Sequence, residues 1–241
     1  MLISVIIPTY NEEKVIGECL ESLKGQNEKN FEIIIVDDGS TDITKEIVKN
    51  YSVKLLEQKH QGPAAARNLG AEHAKGKILV FVDADMTFHS KFLRNLIEPI
   101  SQNKTRGTFS KEEYVSNWSN VWARCWNYND NLFGKRRLPQ NYPDHQKVFR
   151  AILKSEFDKV GGFSKGGYTD DYTLSEKLGY EAANTKDAVI YHKNPATLRE
   201  VYYQAKWVGK REYKLGVFKA VYDHGIFVGI SEMMRSGKMS K

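Results

Sequence analysis

The first hundred residues alternate between short apolar runs and segments whose apolar residues recur at helical spacing. The runs predict four buried strands, at Leu2–Ile7, Phe31–Val36, Val53–Leu56 and Ile78–Val82. Helices are predicted between them from three sets of positions: Val15, Ile16, Cys19, Leu20 and Leu23; Ile43, Ile47 and Val48; and Ala64 to Lys75. Strands buried on both faces and separated by helices are typical of βαβ units and a largely parallel sheet.

Helix starts are predicted from the polar residues before each pattern. Asn11 is expected to cap the first helix, and Ser40, Thr41 or Asp42 the second. Pro63 fits the first turn of the third helix, because its missing N–H has no partner at that position in any helix.

The second half of the chain is less regular. Helices are predicted around Trp118 to Trp126, at Asp170–Leu178 and beyond His192, and strands at Val148–Leu153 and Ala188–Tyr191. The aromatic spacing around Trp122 favours a core face over a sugar-stacking or lipid-stacking surface. Loops are expected at Gly134–His145 and, rich in glycine, at Gly161–Gly167. We divide the chain into a nucleotide-sugar-binding half (1–100), an acceptor-binding and catalytic half of the same domain (101–192), and a basic, aromatic helical tail (193–241).

Composition excludes several classes of protein. The 241 residues are 41% hydrophobic and 27% charged, which is typical of a globular domain and not of a disordered chain. Two cysteines, Cys19 and Cys125, are too few for a disulfide scaffold or a cysteine-based zinc site. No secretory signal and no uninterrupted apolar stretch of about 18 residues is found, so we expect a cytoplasmic protein.

Positive charge is concentrated near the end of the chain. The formal net charge is +6, and residues 191–241 carry ten Lys or Arg against four Asp or Glu, which accounts for the whole excess. Two interpretations stay open: a solvated helical face, or a surface for anionic partners. Aromatic and basic residues alternate from Tyr202 onward, as in helices that lie at the inner face of an anionic membrane. The segment has no nucleic-acid-binding motif, so no nucleic acid is expected.

Acidic residues follow the predicted strands, where open parallel sheets bind their ligands. Asp83 and Asp85 come directly after the fourth strand, and carboxylates of this kind bind Mg²⁺ or Mn²⁺ together with substrate phosphates. Asp37 and Asp38 end the second strand; they could accept hydrogen bonds from a base or ribose, or form a turn that starts the next helix. Each pair taken alone is a weak signal.

A third acidic pair, Asp170-Asp171, follows the glycine-rich loop. A carboxylate at the edge of a cleft can act as general base toward a hydroxyl group. The alternative is ordinary first-turn chemistry, because acidic side chains are favoured at the positive end of a helix dipole.

Seven stretches, in order across residues 3–192, resemble the inverting GT-A glycosyltransferases of family 2. They are Ser4–Glu12, Ile35–Asp42, Gly62–Gly70, Phe81–Asp85, Val160–Phe163, Thr169–Leu174 and Ile190–His192. The resemblance implies a Rossmann-like α/β fold with a mixed, mainly parallel sheet flanked by helices and followed by a C-terminal helical segment.

The resemblance also implies roles for individual residues, each at a matching position of this chain. Asp171 corresponds to the general base, with Asp170 as the other member of the acidic pair. The nucleotide-binding positions are Pro8, Tyr10, Asp37, Arg67 and Asp83. The metal-binding positions, for Mn²⁺ or Mg²⁺, are Asp85, Asp83 and His192. Asp170-Asp171 stands where Glu-Asp is commoner in the family.

The resemblance implies transfer of a sugar from a nucleotide diphosphate sugar, with UDP favoured and GDP as an alternative. The acceptor would be a hydroxyl or phosphate group on a glycan or a lipid-linked molecule. Gln204-Ala205-Lys206-Trp207 departs from the Gln-x-x-Arg-Trp pattern of processive members, so transfer of one sugar is expected. Two alternatives stay open: a nucleotidyltransferase, and a non-catalytic nucleotide-sugar or glycan-binding module.

Overall fold

The structure is a computed structural model that describes residues 1–164 and 170–212. The chain forms two compact units. Unit 1 comprises Met1–Glu112 and Tyr142–Ile190, and unit 2 comprises Glu113–Asn141 and Tyr191–Lys241. The assignment of separate functions to residues 1–100 and 101–192 stays a prediction.

Unit 1 contains most of the regular structure. Its strands are β1 (Ile3–Thr9), β2 (Phe31–Asp37), β3 (Lys54–Glu57), β4 (Ile78–Phe81), β5 (Met86–Phe88), β6 (Gly107–Ser110), β8 (His145–Gln146), β9 (Ala151–Leu153) and β10 (Ala182–Thr185). Its helices are α1 (Ile16–Lys24), α2 (Thr44–Val48), α3 (Pro63–Glu72), α4 (Phe92–Ser101), α6 (Lys154–Lys159) and α7 (Asp170–Leu178).

Eight of these strands form one sheet in the order β3-β2-β1-β4-β9-β6-β10-β8. The strands β3, β2, β1 and β4 run parallel, with Val5 opposite Ile33 on one side and Val80 on the other. Strand β9 is antiparallel to both β4 and β6. The predicted mixed, mainly parallel sheet is confirmed, and its first four strands end at the same edge.

The sheet is buried on both faces because its strands are apolar at successive positions. Ile3, Val5 and Ile7 of β1 pack with α1 and α4 in one cluster. Ile6 points to the opposite face and packs in a second cluster with α3, α6 and α7. This arrangement explains why β1, β2 and β4 read as continuous apolar runs in the sequence.

Unit 2 is built around α5 (Val121–Asn129) and α8 (Leu198–Glu212), with strand β7 (Glu113–Val115). Strand β11 (Ile190–His192) begins at the last residue of unit 1 and continues into unit 2. Asn120 caps α5, since its side chain accepts hydrogen bonds from the backbone N–H groups of Trp122 and Ala123. Trp118 and Tyr128 pack edge to face at 5.9 Å in a small apolar cluster with Cys125. The core interpretation is thus confirmed for Trp118 and Cys125, but Val121 of the same predicted face is 42% exposed.

Two predicted helix caps are wrong. Asn11 has a positive φ of 59°, and its side chain accepts a hydrogen bond from the backbone N–H of Thr41. It does not cap α1, which begins only at Ile16. Helix α2 begins at Thr44, so Ser40 and Thr41 lie before it and do not cap it. Asp42 does contact the helix start, because its carboxylate accepts a hydrogen bond from the Thr44 N–H at 3.0 Å. Pro63 opens α3 as predicted.

The described residues include elements that the sequence pattern did not indicate: α4, α6, β5, β6, β7, β8 and β10. The predicted strand Val148–Leu153 is shorter, as β9. Gly166, Gly167 and the tail beyond Glu212 lie outside the described residues. Within the described ranges, no helix has the length and apolar character needed to cross a bilayer.

Candidate active site at the carboxyl edge of the sheet

Asp37 ends β2 with its carboxylate buried in the turn that follows. Its Oδ2 atom accepts hydrogen bonds from the backbone N–H groups of Gly39 at 3.2 Å and Ser40 at 3.0 Å. Its Oδ1 atom is buried and has no hydrogen-bond partner within the described part of the chain. A buried acceptor left unsatisfied costs about 1–3 kcal/mol, which a ligand with an N–H or O–H donor would recover. Asp37 is therefore suited to bind such a ligand.

Asp38 has a different role from its neighbour. Its two carboxylate oxygens accept hydrogen bonds from the backbone N–H groups of Gln61 and Gly62, both at 2.8 Å, and from the side-chain amide of Gln58 at 2.6 Å. These bonds fix the loop between β3 and α3. The turn interpretation of the acidic pair thus holds for Asp38, while Asp37 retains an oxygen for a ligand.

Tyr10 follows β1 and exposes 44% of its surface. Its ring lies 4.3 Å from that of His60, centroid to centroid, and Nδ1 of His60 lies 2.9 Å from Oδ2 of Asp38. Pro8 is half-buried within β1, opposite Val36 of β2. Thr9, the residue before Tyr10, pairs with Asp37 in the sheet. An exposed aromatic ring at this strand end is suited to stack on a planar ligand such as a nucleotide base.

Arg67 of α3 joins the acidic residues at the sheet edge. Its guanidinium contacts Asp83 at 3.0 Å and Asp170 at 3.7 Å, and it also donates a hydrogen bond to Asp171. Burial alone would lower the pKa of Arg67, but the charges of the three carboxylates outweigh it and raise the pKa. Because only 8% of the side chain is exposed, the guanidinium acts as a fixed buried cation around which these acids are placed.

Asp83 is held by a second arginine as well. Arg150, immediately before β9, places Nη1 3.3 Å from Oδ2 of Asp83, while Arg67 binds Oδ1. The side chain of Arg150 is 16% exposed. The sequence pattern did not indicate Arg150, because the residue belongs to no recognised motif and reaches the site only through the pairing of β9 with β4.

The two acidic residues at the start of α7 differ in how far their side chains are buried. The side chain of Asp170 is 4% exposed and that of Asp171 is 32% exposed. Burial, reinforced by the charge of Asp171, raises the pKa of Asp170 to about 6 from its ordinary 3.8. A substrate can thus reach Asp171 more readily than Asp170.

The neighbouring Asn68 holds the segment before α7. Its side-chain amide donates to the Phe163 carbonyl at 2.8 Å and accepts from the Phe163 N–H at 2.9 Å. Gly162 has a φ of +69°, and a Cβ there would lie 2.5 Å from Oδ1 of Asn68, so the close approach requires glycine.

Asp85 lies two residues beyond Asp83 in a region of accumulated negative charge. Burial and the charges of Asp85, Asp83 and Glu12 raise the pKa of the Cys19 thiol. No group of three or more His, Cys, Asp or Glu side chains forms a metal site among residues 1–164 and 170–212. The carboxylate oxygens of Asp83 and Asp85 nevertheless suit a hard divalent cation, which typically takes one or two carboxylates and its remaining ligands from substrate phosphates.

His192 ends β11 in unit 2. Its Nδ1 lies 2.9 Å from Oε1 of Glu113, and both side chains are largely buried. Metal-binding histidines usually hydrogen-bond a carboxylate through their second ring nitrogen, which orients the ring. The Glu113 contact therefore fits the role that the resemblance implies for His192. Glu113, like Arg150, was not predicted from the sequence.

Two solved structures of similar fold contain a nucleotide sugar. One is TarS of Staphylococcus aureus, residues 1–349, in complex with UDP-GlcNAc, with a TM-score of 0.65 and 20% identity over 89% of this chain and 68% of that chain. The other is the mannosyltransferase PcManGT of Pyrobaculum calidifontis with GDP-Man and Mn²⁺, with a TM-score of 0.62 and 21% identity over 99% of this chain and 76% of that chain. At this identity the likeness shows the fold, and the GT-A prediction is confirmed.

Relatives in sequence include the glycosyltransferases GlyA and GlyG of Streptococcus pneumoniae. GlyA is 29% identical over 86% of this chain, which spans 32% of that protein. GlyG is 28% identical over 86% of this chain, which spans 75% of that protein. An uncharacterized glycosyltransferase of Rickettsia felis is 41% identical over 42% of this chain, which spans only 17% of its length. Residues 4–161 match the family described as Glycosyl transferase family 2 and make up more than half of the chain, which therefore belongs to that family.

Proposed function

We propose that this protein transfers one sugar, with inversion, from a nucleotide diphosphate sugar to a hydroxyl or phosphate acceptor, and that the reaction depends on a divalent cation. The observation that carries the proposal is the contact of Arg67 with Asp83, Asp170 and Asp171. This single cation brings the acid that follows β4 next to the acids that begin α7. It thereby joins proposed donor-binding and base residues within unit 1.

The donor is bound through its nucleotide. The unsatisfied Oδ1 of Asp37 accepts a hydrogen bond from a base N–H, and the exposed ring of Tyr10 stacks on the base. Pro8 borders the same strand end, while Asp83, held by Arg67 and Arg150, offers its carboxylate to the ribose. Complexes of the structural neighbours with UDP-GlcNAc and GDP-Man support a nucleotide sugar as donor; we favour UDP, with GDP as the alternative.

Asp85, with Asp83, would hold Mn²⁺ or Mg²⁺, and the family resemblance implies His192 as a further ligand. Such a cation stabilises the negative charge that develops on the departing diphosphate. The presence of Mn²⁺ in the complex of PcManGT supports this assignment. Glu113 orients the imidazole of His192 through the 2.9 Å contact at Nδ1.

Asp171 acts as the general base. It takes the proton of the acceptor hydroxyl as that oxygen attacks the anomeric carbon, and the bond from this carbon to the diphosphate breaks in the same displacement. Asp171 is the more exposed member of its pair, whereas Asp170 is buried and packs against Arg67. One base and one displacement give inversion at the anomeric carbon.

The experiment that tests the function combines two measurements. Release of free nucleoside diphosphate from the donor is followed first, since a nucleotidyltransferase would release pyrophosphate instead and a binding module would release neither. NMR of the first-formed product then gives its anomeric configuration. Retention of configuration would contradict the mechanism, and the absence of any release with UDP- and GDP-sugars would contradict the function.

The acceptor is proposed to be a glycan or a lipid-linked molecule reached at the inner face of the membrane. Support comes from α8, where Tyr202 and Tyr203 are exposed and Arg199 lies 5.7 Å from the Tyr203 ring. Tyrosine beside basic residues suits the headgroup level of a bilayer. Co-sedimentation with phosphatidylglycerol vesicles at low salt tests this contact, and failure to bind would leave α8 with a purely structural role.

A further inference from the structure

Three consecutive basic residues, Lys135–Arg137, run antiparallel to β7 in unit 2. The Val115 N–H donates to the Lys135 carbonyl at 2.7 Å, and the Arg137 N–H donates to the Glu113 carbonyl at 2.9 Å. The backbone of this basic segment is therefore fixed by strand-like pairing, although it lies in a region predicted to be a loop.

Asn127 of α5 holds the same segment from the other side. Its Nδ2 atom lies 3.2 Å from the carbonyl oxygen of Leu132, 2.8 Å from that of Gly134 and 2.9 Å from that of Arg136. The Asn127 side chain is buried, so these contacts are shielded from water. The side chains of Lys135–Arg137 thus extend from a backbone that is held by hydrogen bonds on both sides.

The side chains of Arg136 and Arg137 point to opposite faces, because successive residues alternate in an extended segment. Arg136 shares the face of Tyr114, with its guanidinium 5.3 Å from the ring and Nη1 3.0 Å from the hydroxyl oxygen. Arg137 shares the face of Glu113. Arg136 therefore packs against Tyr114, whereas the Arg137 side chain lies on the opposite face, beside Glu113.

Arg137 lies beside His192. Its Nε atom is 3.8 Å from Oε1 of Glu113, and the same oxygen is 2.9 Å from Nδ1 of His192. Only 24% of the Arg137 side chain is exposed, yet its guanidinium makes no hydrogen bond to any of residues 1–164 or 170–212. One carboxylate thus serves two groups and does not satisfy the five guanidinium N–H donors.

We propose that Arg137, next to His192, binds a phosphate group of a substrate. A guanidinium with unused donors, on a side chain that is only 24% exposed, is suited to paired hydrogen bonds with phosphate oxygens, which are stronger than bonds between neutral groups. The assignment of the anion as phosphate rests on the proposed function, in which the donor carries a diphosphate and the acceptor can carry a phosphate. These are the two sources that an experiment must distinguish.

The test compares the native protein with Arg137→Gln by isothermal titration calorimetry. The probes are UDP, uridine, inorganic pyrophosphate, and inorganic phosphate added to protein saturated with UDP. Arg94→Gln is the matched control, because Arg94 is an exposed arginine of α4 and its loss changes the charge equally. Arg137→Lys serves as a second variant that keeps the charge without the paired donors, and circular dichroism checks the fold of each.

If Arg137 binds the donor diphosphate, Arg137→Gln weakens UDP and pyrophosphate by about 10- to 100-fold and leaves uridine unchanged. If it binds an acceptor phosphate, UDP and uridine are unchanged and inorganic phosphate is weakened by a similar factor. Arg137→Lys is expected to fall between the native protein and Arg137→Gln. Equal binding of all probes by the native protein and both Arg137 variants would overturn the proposal. If the native protein does not bind uridine, the proposed donor is contradicted. The pyrophosphate and phosphate measurements would still decide whether Arg137 binds phosphate.

Discussion

Arg150 places Nη1 3.3 Å from Oδ2 of Asp83, and its carbonyl accepts a hydrogen bond from the Phe81 N–H at 2.9 Å. The backbone and the side chain of one residue thus hold the end of β4 and the carboxylate that follows it. Since Arg67 binds the other oxygen of Asp83, this carboxylate is neutralised from two sides. We therefore propose Asp85, rather than Asp83, as the principal ligand of the divalent cation.

Asp85→Ala should abolish metal-dependent transfer, because it removes the carboxylate that we assign to the cation. Activity is measured against added Mn²⁺, with binding of Mn²⁺ followed independently by electron paramagnetic resonance. Asp158→Ala is the control, since Asp158 is an exposed acid of α6 paired with Lys154 at 2.9 Å. An unchanged response to Mn²⁺ in Asp85→Ala would contradict the assignment.

Asp171→Asn should lower turnover by about 10²–10⁴-fold, the usual contribution of a general base, and leave donor binding nearly intact. Asparagine keeps an oxygen that can accept the hydrogen bond from Arg67, so the surrounding contacts are disturbed little. Turnover and calorimetric donor affinity are compared with those of Glu176→Gln, an exposed acid on the same helix. Loss of donor binding in Asp171→Asn would make Asp171 a binding residue.

Asp170→Asn should change how stability depends on pH. The raised pKa of about 6 means that the folded state binds more protons than the unfolded state between about pH 4 and pH 6. The native protein therefore loses about 1–3 kcal/mol of stability from this group as the pH rises through that window. Asparagine does not titrate, so the stability of Asp170→Asn relative to the native protein should increase from pH 4 to pH 7.

Urea unfolding at several pH values measures this difference, with the exposed Asp158→Asn as control. A difference between Asp170→Asn and the native protein that stays constant across the pH range would contradict the raised pKa.

Gly70→Ala should destabilise the protein by about 1–3 kcal/mol, because the core has no space for a methyl group there. A Cβ at Gly70 would lie 2.5 Å from Cγ2 of Ile6 and 3.2 Å from Cγ2 of Val36. Gly17→Ala in α1 is the matched control: its nearest neighbour would be 3.6 Å away, and the change should stabilise by up to about 1 kcal/mol. Similar unfolding midpoints for the two variants would show that α3 can move away from β1.

The fold from β1 through β4 could be predicted because apolar runs and helical spacing coincide with these four strands and with α1 to α3, whereas β5 and α4 were missed. The pattern failed where contacts between residues distant in sequence decide the backbone conformation. Asparagine is a favoured residue type at helix caps, yet Asn11 adopts a positive φ and accepts a hydrogen bond from the backbone of Thr41, a residue distant in sequence. Strands β6 and β10 have only four residues each, too few for a periodic pattern to stand out.

Candidate site residues could be proposed from the sequence where they lie at or just beyond a strand end, as Asp37 and Asp85 do, or in the first turn of a helix, as Asp171 does. Partners that act across the fold could not. Arg150 and Glu113 contact Asp83 and His192 from positions 67 and 79 residues away, and no local signal marks them. The unequal burial of Asp170 and Asp171 also depends on tertiary packing, since adjacent acids look equivalent in the sequence.

Arg67 and Asn68 are successive residues of one helix, and they bind opposite ends of a single short stretch of chain. Asn68 pairs with the backbone of Phe163, and Arg67 pairs with Asp171. The segment before α7 and the proposed base are therefore both held by adjacent positions of α3. A substitution that shifts α3 along the sheet would accordingly displace the Phe163 backbone and the Asp171 carboxylate together.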